Sequence, residues 1–270
     1  MNNTKDRTYL NCQIDSRGIA TLTLNRVEKH NAFNIEVIEA LIESIETLAQ
    51  DPSVRCLILK GNGKHFSAGA DLTWMKSMAS KTEQENRQDA SRLAHLMHCL
   101  DSFPRPTLSM VHGCAFGGAL GLICCCDIVL ADDSALFCLS EVKLGLVPAT
   151  IAPYVNRTIG ARQSRRYMLT AERFDAERAR EMGLVHDIVS TDQMNDRREA
   201  VITHLLTNSP IAMEKTKHLI QECESKPLDD NLIEFTSELI AKVRVSEQGQ
   251  EGLSAFFDKR SPSWVDEGSS

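Results

Sequence analysis

The chain has 270 residues, a quarter of them charged, and a formal net charge of −7. That length supplies a sizeable hydrophobic core, as one large domain or as a domain with an appendage. The acidic balance lacks the basic footprint that a nucleic-acid backbone demands, so nucleic acid is not an expected partner.

The opening stretch from Met1 to Asp15 is polar and predicts no signal peptide. No later apolar run reaches the ~18 residues of a membrane span, so no membrane partner is expected either. Ile19 to Leu24, IATLTL, alternates as a strand. A helix capped by Asn34 follows, with Ile38, Leu41, Ile42, Ile45 and Leu48 on one face, and then a second strand from Arg55 to Lys60. This β, α, β order predicts a right-handed crossover and a parallel pair. Between the first strand and the helix lies the loop Asn25 to Phe33, with Arg26, Lys29 and His30, which by itself reads as a solvated turn.

Asn62-Gly63-Lys64 fails as a phosphate loop, because Ile58 stands where a glycine is needed and His65 where Ser or Thr is needed. Phe66 to Met78, FSAGADLTWMKSM, passes from the strand through Gly69 into a helical pattern. Asp71 is placed to cap that helix, and Leu72, Met75 and Met78 fall on one face. A further helix, Gln84 to Cys99, has Leu93, Leu96 and Met97 as its apolar stripe. Its His95 and His98 are three apart, and without a carboxylate or cysteine at ligand spacing they read as surface residues.

Thr107 to Val111 reads as a strand, Gly117-Gly118 as a turn, and Ala119 to Cys126 as a short helix apolar on every side and therefore buried. A helix start leaves backbone N–H groups without partners and carries partial positive charge, and paired glycines admit another molecule's oxygen close to that backbone. By itself a glycine pair equally serves tight strand-to-helix packing. The earlier turn at Gly69 and Ala70 is built alike, so two N–H groups, from Ala70 and Gly118, could be aimed at one carbonyl oxygen. Glu141 follows in an apolar setting of Phe137, Leu139, Val142 and Leu144, where burial would raise its pKa toward acid–base use. Read alone, it is also compatible with an ordinary surface residue at a strand end.

The nine cysteines form no paired C-x-x-C framework. Cys124, Cys125 and Cys126 point in different directions on a helix and read as buried small hydrophobes rather than metal ligands. Reduced thiols and a cytoplasmic setting fit this usage. From Ala149 onward two helical segments pack around Gly160 and Gly183, and a helix from Asp175 to Met182 ends at glycine. After Asp192 the pattern is helical, opened in one place by Ser209-Pro210. This shift in texture sets an expected boundary, with residues 1–195 as one module and 196–270 as an all-helical second.

The segments SAGADL, HGCAFGGALGL and CDIVLADDSALFCLSEVKLGLVP resemble the enoyl-CoA hydratase/isomerase (crotonase) family, and the resemblance runs from Tyr9 to Trp264. It implies an α/β fold, a crotonase-like spiral of ββα turns carrying the CoA and catalytic site, with a C-terminal helical oligomerisation module forming a homotrimer or a dimer of trimers. It implies an acyl-CoA thioester substrate, no metal, and no cofactor beyond the coenzyme A that the substrate brings. On the matching positions the oxyanion hole falls to the N–H groups of Ala70 and Gly118, and the proton-transferring carboxylate to Glu141. Lys29, Ala32, Ala68, Asp71 and Leu72 take the positions of CoA contacts, joined near the C-terminus by Phe256 and Lys259.

One departure separates this chain from the two-glutamate hydratases. Their other glutamate stands three residues after the oxyanion-hole glycine, where this chain has Gly121. The surrounding block is most similar to a bacterial hydratase branch acting on methylglutaconyl-CoA or isohexenylglutaconyl-CoA in leucine and acyclic terpene breakdown. The expectation is an enoyl-CoA hydratase working through Glu141 alone. The alternatives are a Δ3,Δ2-enoyl-CoA isomerase with Glu141 as sole base, and a CoA-thioester-binding or scaffolding protein without turnover.

Overall fold

The structure, a computed structural model, describes residues 9–265; most of the polar opening, residues 1–8, lies outside them. Strands β1 (Leu10–Ile14) and β2 (Ile19–Leu24) pair antiparallel, with Leu10 opposite Leu24 and Ile14 opposite Ala20. Helix α1 (Ile35–Gln50) follows, its first turn closed by Asn34, whose side-chain oxygen accepts the Val37 N–H at 3.0 Å. The apolar face expected for it, Ile38 through Leu48, is buried. Strand β3 (Cys56–Gly61) then pairs parallel to β2, Ile19 against Cys56 and Leu24 against Gly61.

Two helices come next, α2 (Leu72–Met78) and α3 (Glu83–Asp101), the latter opened by a reciprocal capping box between Thr82 and Glu85. Strand β4 (Thr107–Val111) pairs parallel to β3, and all five of its residues are buried, as a central parallel strand covered on both faces requires. A short β5 (Cys114–Phe116) precedes α4 (Gly118–Cys124), so the strand expected to run straight into the glycine turn is separated from it by another. β5 has three residues, too few to show alternation, and Gly113 at φ +56° turns the chain into it.

The same order recurs in β6 (Ile128–Asp132), β7 (Leu136–Cys138), a 3-10 turn (Glu141–Leu144) and α5 (Ala152–Thr170). Helix α5 is broken by Gly160 at φ +75°. β8 (Phe174–Asp175), α6 (Ala176–Glu181) and β9 (Asp187–Val189) complete the set. Strands β1, β2, β3, β4, β6 and β9 form a six-stranded sheet in the order β1-β2-β3-β4-β6-β9, and β5, β7 and β8 form a three-stranded sheet in the order β5-β7-β8. Strand, strand, helix recurs in β1-β2-α1, β4-β5-α4 and, after the 3-10 turn, β6-β7-α5.

The chain divides into two compact units. One holds the described residues to Phe103 with Thr107–Arg198, and the other holds Pro104–Pro106 with the described residues from Glu199. The second is helical: the end of α7 (Met194–Leu206), then α8 (Pro210–Ser225), α9 (Asp230–Arg244) and α10 (Glu247–Asp258). Position 195, expected as the boundary, lies inside α7.

Candidate active site

Two turns are brought side by side by short backbone ladders in the first unit. The segment through Ser67 runs beside β5: the Ser67 N–H donates to Cys114 O at 3.1 Å and the Phe116 N–H donates to Ser67 O at 3.0 Å. Gly69, at φ +97°, lets this segment lie against β5, since a β-carbon there would stand 3.1 Å from Phe116 O. The segment is held on its other edge by Phe33, whose N–H donates to Gly69 O and whose carbonyl accepts from the Asp71 N–H, both at 2.7 Å. Those bonds flank Ala70 on either side, and among the described residues the Ala70 N–H itself has no acceptor.

The second turn is Gly117, at φ +56° and ψ −123°, a conformation for which only glycine is suited. Its N–H donates to Cys138 O at 2.9 Å, and Gly118 opens α4 with its N–H among the unpaired first donors of the helix. The rest of α4 is buried throughout, as its sequence predicts, so these donors stand against a dry interior. Phe33 reaches this turn as well: its ring lies 3.5 Å from where a β-carbon of Gly118 would be. One aromatic residue, unremarked in the sequence, therefore braces both turns.

Glu141 begins the 3-10 turn after β7, whose last residue, Cys138, pairs with Phe116 and accepts from Gly117. The turn is closed by Gly145 at φ +72° and by the Leu146 N–H donating to Glu141 O at 3.1 Å. Glu141 is half-buried, its Oε1 lies 3.2 Å from the β-carbon position of Gly117, and its Oε2 is buried without a hydrogen-bond partner. Burial pushes this carboxyl above the ordinary glutamate range, against a small opposing effect of its own backbone. An unpaired carboxylate in low dielectric seeks a proton, which is the property of a group that accepts and returns one.

Position 121 is packed solid. A β-carbon on Gly121 would stand 2.3 Å from Ile151 Cγ2 and 2.8 Å from Met97 Sδ. A carboxylate-bearing residue cannot enter there on this backbone.

The expected CoA contacts fall into three situations. Lys29 is exposed at the end of a 3-10 turn (Val27–Lys29), Ala32 is buried with its carbonyl accepting from Arg26 Nη1 at 3.2 Å, and the Ala68 N–H donates to His30 O at 2.9 Å. Asp71 is buried and committed within the protein: it accepts from the Thr73 and Trp74 N–H groups as the cap of α2 and pairs with Arg26 at 2.7 Å. Burial alone would raise its carboxyl, but the two amides and Arg26 outweigh burial and hold it below the usual carboxylate range. Leu72 is 80% exposed, and α2 buries none of its residues, so the apolar face expected of Leu72, Met75 and Met78 has no core to meet within this chain. Phe256 is exposed on α10 and Lys259 caps that helix at φ +54°, both in the second unit.

The loop from Asn25 to Phe33 proves less solvated than its composition suggests. Asn31 is buried at φ +54°, its side chain donating to Asn62 O at 2.9 Å and His65 O at 2.8 Å and accepting from the Arg26 N–H at 2.9 Å. An asparagine tolerates the left-handed region and bonds locally, the one signal by which it was legible beforehand. His186 is structural, its Nδ1 accepting from the Val129 N–H at 3.1 Å. All nine cysteines are unpaired, Cys124, Cys125 and Cys126 are buried, and burial pushes the Cys124 thiol up to about 12, which leaves it inert. No helix among the described residues is long and apolar enough to cross a membrane.

Comparison with known proteins places the chain in a family. The family model for enoyl-CoA hydratase/isomerase matches residues 15–267. A structure of an enoyl-CoA hydratase from Shewanella pealeana is 52% identical with a TM-score of 0.92, covering 95% of this chain and 96% of its own. The 2,3-dehydroadipyl-CoA hydratase of Escherichia coli is 30% identical over 247 residues, 90% of this chain and 94% of that protein. The 1,2-epoxyphenylacetyl-CoA isomerase of the same organism is 31% identical over 251 residues, 92% of this chain and 95% of that protein. The chain belongs to the enoyl-CoA hydratase/isomerase, or crotonase, family.

Proposed function

We propose that this chain is an enoyl-CoA hydratase that adds water across the α,β-double bond of a branched, glutaconyl-type thioester, and that Glu141 carries the proton transfers. The observation that carries the reading is the buried, unpartnered Oε2 of Glu141 beside the Gly117 turn. The N–H groups of Ala70 and Gly118 take the thioester carbonyl oxygen. As water attacks Cβ, the π electrons move toward that oxygen, and the two donors stabilise the enolate that forms. Loss of one such donor costs about 3–4 kcal/mol of barrier.

Glu141 accepts the proton that the attacking water releases and delivers one to Cα, so it ends as it began. Its raised pKa favours the exchange, because a carboxylate is otherwise too weak a base near neutral pH. With Ile151 and Met97 filling the space at Gly121, a single carboxylate serves both steps. The acyl group's own distal carboxylate helps to orient the water, and this favours branched glutaconyl substrates of leucine or acyclic terpene breakdown over short simple ones. The relationship to a 2,3-dehydroadipyl-CoA hydratase supports an acyl group with a distal carboxylate, without bearing on its branching.

The same packed Gly121 favours a second reading, a Δ3,Δ2-enoyl-CoA isomerase. That reaction needs one base to move a proton between C2 and C4, and one relative is named an isomerase. Coenzyme A arrives with the substrate, and no metal or further cofactor takes part. A cytoplasmic setting fits the nine unpaired thiols. A homotrimer or dimer of trimers would cover exposed apolar residues of the second unit such as Ile233, Ile240, Leu253 and Phe257, which sedimentation equilibrium tests.

The deciding experiment is turnover of wild type beside Glu141→Gln on 3-methylglutaconyl-CoA, crotonyl-CoA and a 3-enoyl-CoA, with products identified by mass. The expected result is addition of one water to the branched substrate, abolished in the variant. Isomerised 3-enoyl-CoA without water addition would establish the isomerase instead. Equal rates on crotonyl-CoA and 3-methylglutaconyl-CoA would overturn the role given to the distal carboxylate.

A further inference from the structure

Away from the candidate active site, α1 and α3 bring three different metal-ligating side chains to one point on the surface of the first unit. His95 and Cys99 stand one helical turn apart on α3, so both project toward the same face, and Glu46 meets them from α1. His95 Nε2 lies 2.9 Å from Glu46 Oε1, Cys99 Sγ lies 3.4 Å from that nitrogen, and Cys99 Sγ lies 3.7 Å from Glu46 Oε1. Among the described residues these form the one group of three or more such donors close enough to share an ion. In sequence His95 and His98 read as surface residues for want of a carboxylate or cysteine at ligand spacing; the structure corrects this for His95, whose neighbours are the cysteine four residues on and the carboxylate 49 residues back.

We infer that Glu46, His95 and Cys99 form a binding site for a borderline transition-metal cation of the Zn2+ class, clasping α1 to α3. Ligand bonds of the usual length in a tetrahedron separate donors by about 3.3–3.6 Å. Two of the three separations already match within about 0.1 Å, and the histidine–carboxylate pair has to open by about 0.4 Å. Thiolate, imidazole and carboxylate together suit zinc or cobalt rather than calcium or magnesium, which take oxygen donors alone. The partly exposed donors leave the fourth position to water.

The surroundings admit a cation. Arg92, one turn before His95, is directed to Glu39, whose carboxylate accepts from its Nε and Nη2 at 2.6 Å each. On coordination the Cys99 thiol releases its proton to solvent, and the metal–sulfur bond takes the place of the S–H bond.

The probe is Co2+ added to the full chain carrying Cys223→Ser, which removes the one fully exposed thiol. The inference expects one equivalent bound, a near-ultraviolet thiolate-to-cobalt charge-transfer band, visible bands of four-coordinate intensity, and displacement of cobalt by Zn2+. Cys99→Ser should abolish the charge-transfer band. Glu46→Gln should weaken binding by more than the roughly 10–100-fold that losing an outer-shell partner costs. Circular dichroism and turnover on the enoyl thioester, which none of these residues is placed to touch, verify that each variant is folded. A band absent from the wild-type site, or one that persists in Cys99→Ser, would overturn the inference.

Discussion

Glu141 Oε1 stands 3.2 Å from the point a β-carbon on Gly117 would occupy, and Gly117 holds φ +56° and ψ −123°. The glycine therefore does two things with one missing atom: it permits the turn that presents the Gly118 N–H, and it admits the carboxylate. Gly117→Ala loses both. The backbone strain costs about 1–3 kcal/mol of stability, read as a lower midpoint in urea unfolding. The new β-carbon also pushes Glu141 aside by a few tenths of an ångström, which lowers kcat/KM by less than the roughly 100-fold that a 1 Å misplacement costs. An alanine variant of wild-type activity would show that Glu141 is not placed by this contact.

Glu141→Gln should stabilise the protein while removing turnover. Burial holds the folded carboxyl above its ordinary value, so the unfolded chain gives up this proton at a lower pH than the folded one. As pH rises from the unfolded value through the folded one, wild type loses stability relative to a residue that stays neutral, and it does not regain it above. The difference in Tm between variant and wild type should be small in acid and should grow in favour of glutamine toward about pH 7. A difference that is constant with pH would mean that burial does not perturb this carboxyl. A stabilised, inactive variant is the pattern of a site that trades stability for chemistry.

The caps and the buried helix could be read from sequence because they are local. Asn34 and Asp71 cap the helices expected of them, and Ala119 to Cys124 is apolar on all sides because it is buried on all sides. What could not be read came from residues far apart in the chain. Phe33 braces Ala70 through its backbone and Gly118 through its ring, and no periodicity announces that. The sequence shows a glycine at position 121, yet only the fold shows Ile151 and Met97 filling the space beside it. The face of α2 illustrates the converse, since the helical spacing that put Leu72, Met75 and Met78 together is present and yet none of the helix is buried among the described residues.

Asp71 is expected to act chiefly through structure. It joins the first turn of α2 to Arg26, which in turn donates to the carbonyl of Ala32 in the neighbouring loop. Removing the carboxylate by Asp71→Ala leaves the mostly buried Arg26 with only the exposed Glu28 carboxylate at 4.0 Å, at a cost approaching the ~3–5 kcal/mol of a broken buried pair. Asp71→Asn keeps the capping oxygen but not the charge and should lose less. Because the folded carboxyl lies below its ordinary range, its contribution is present above the unfolded pKa and fades as pH falls through the folded one. Stability followed by circular dichroism should therefore fall more steeply with acid in wild type than in the asparagine variant, the two converging at low pH. Equal slopes would remove Asp71 from the acid limb.

The packing at position 121 argues that a second glutamate cannot simply be restored. A β-carbon there meets Ile151 Cγ2 at 2.3 Å, and Ile151 is a branched side chain only 1% exposed, with nowhere to swing. Gly121→Ala gains about 1 kcal/mol of helix propensity but incurs about 1–3 kcal/mol of overpacking, so a net loss is expected. Gly121→Glu adds a carboxyl to the same collision and should fail to fold cooperatively. Ile151→Ala opens the space: combined with Gly121→Ala it should lose less stability than the two single changes added together, by 0.5 kcal/mol or more in a double-mutant cycle, where ~0.5 is the usual limit of additivity. Were Gly121→Glu instead to fold like wild type and hydrate crotonyl-CoA faster, position 121 would have room for a second carboxylate. The single-carboxylate mechanism would then be a matter of sequence and not of packing.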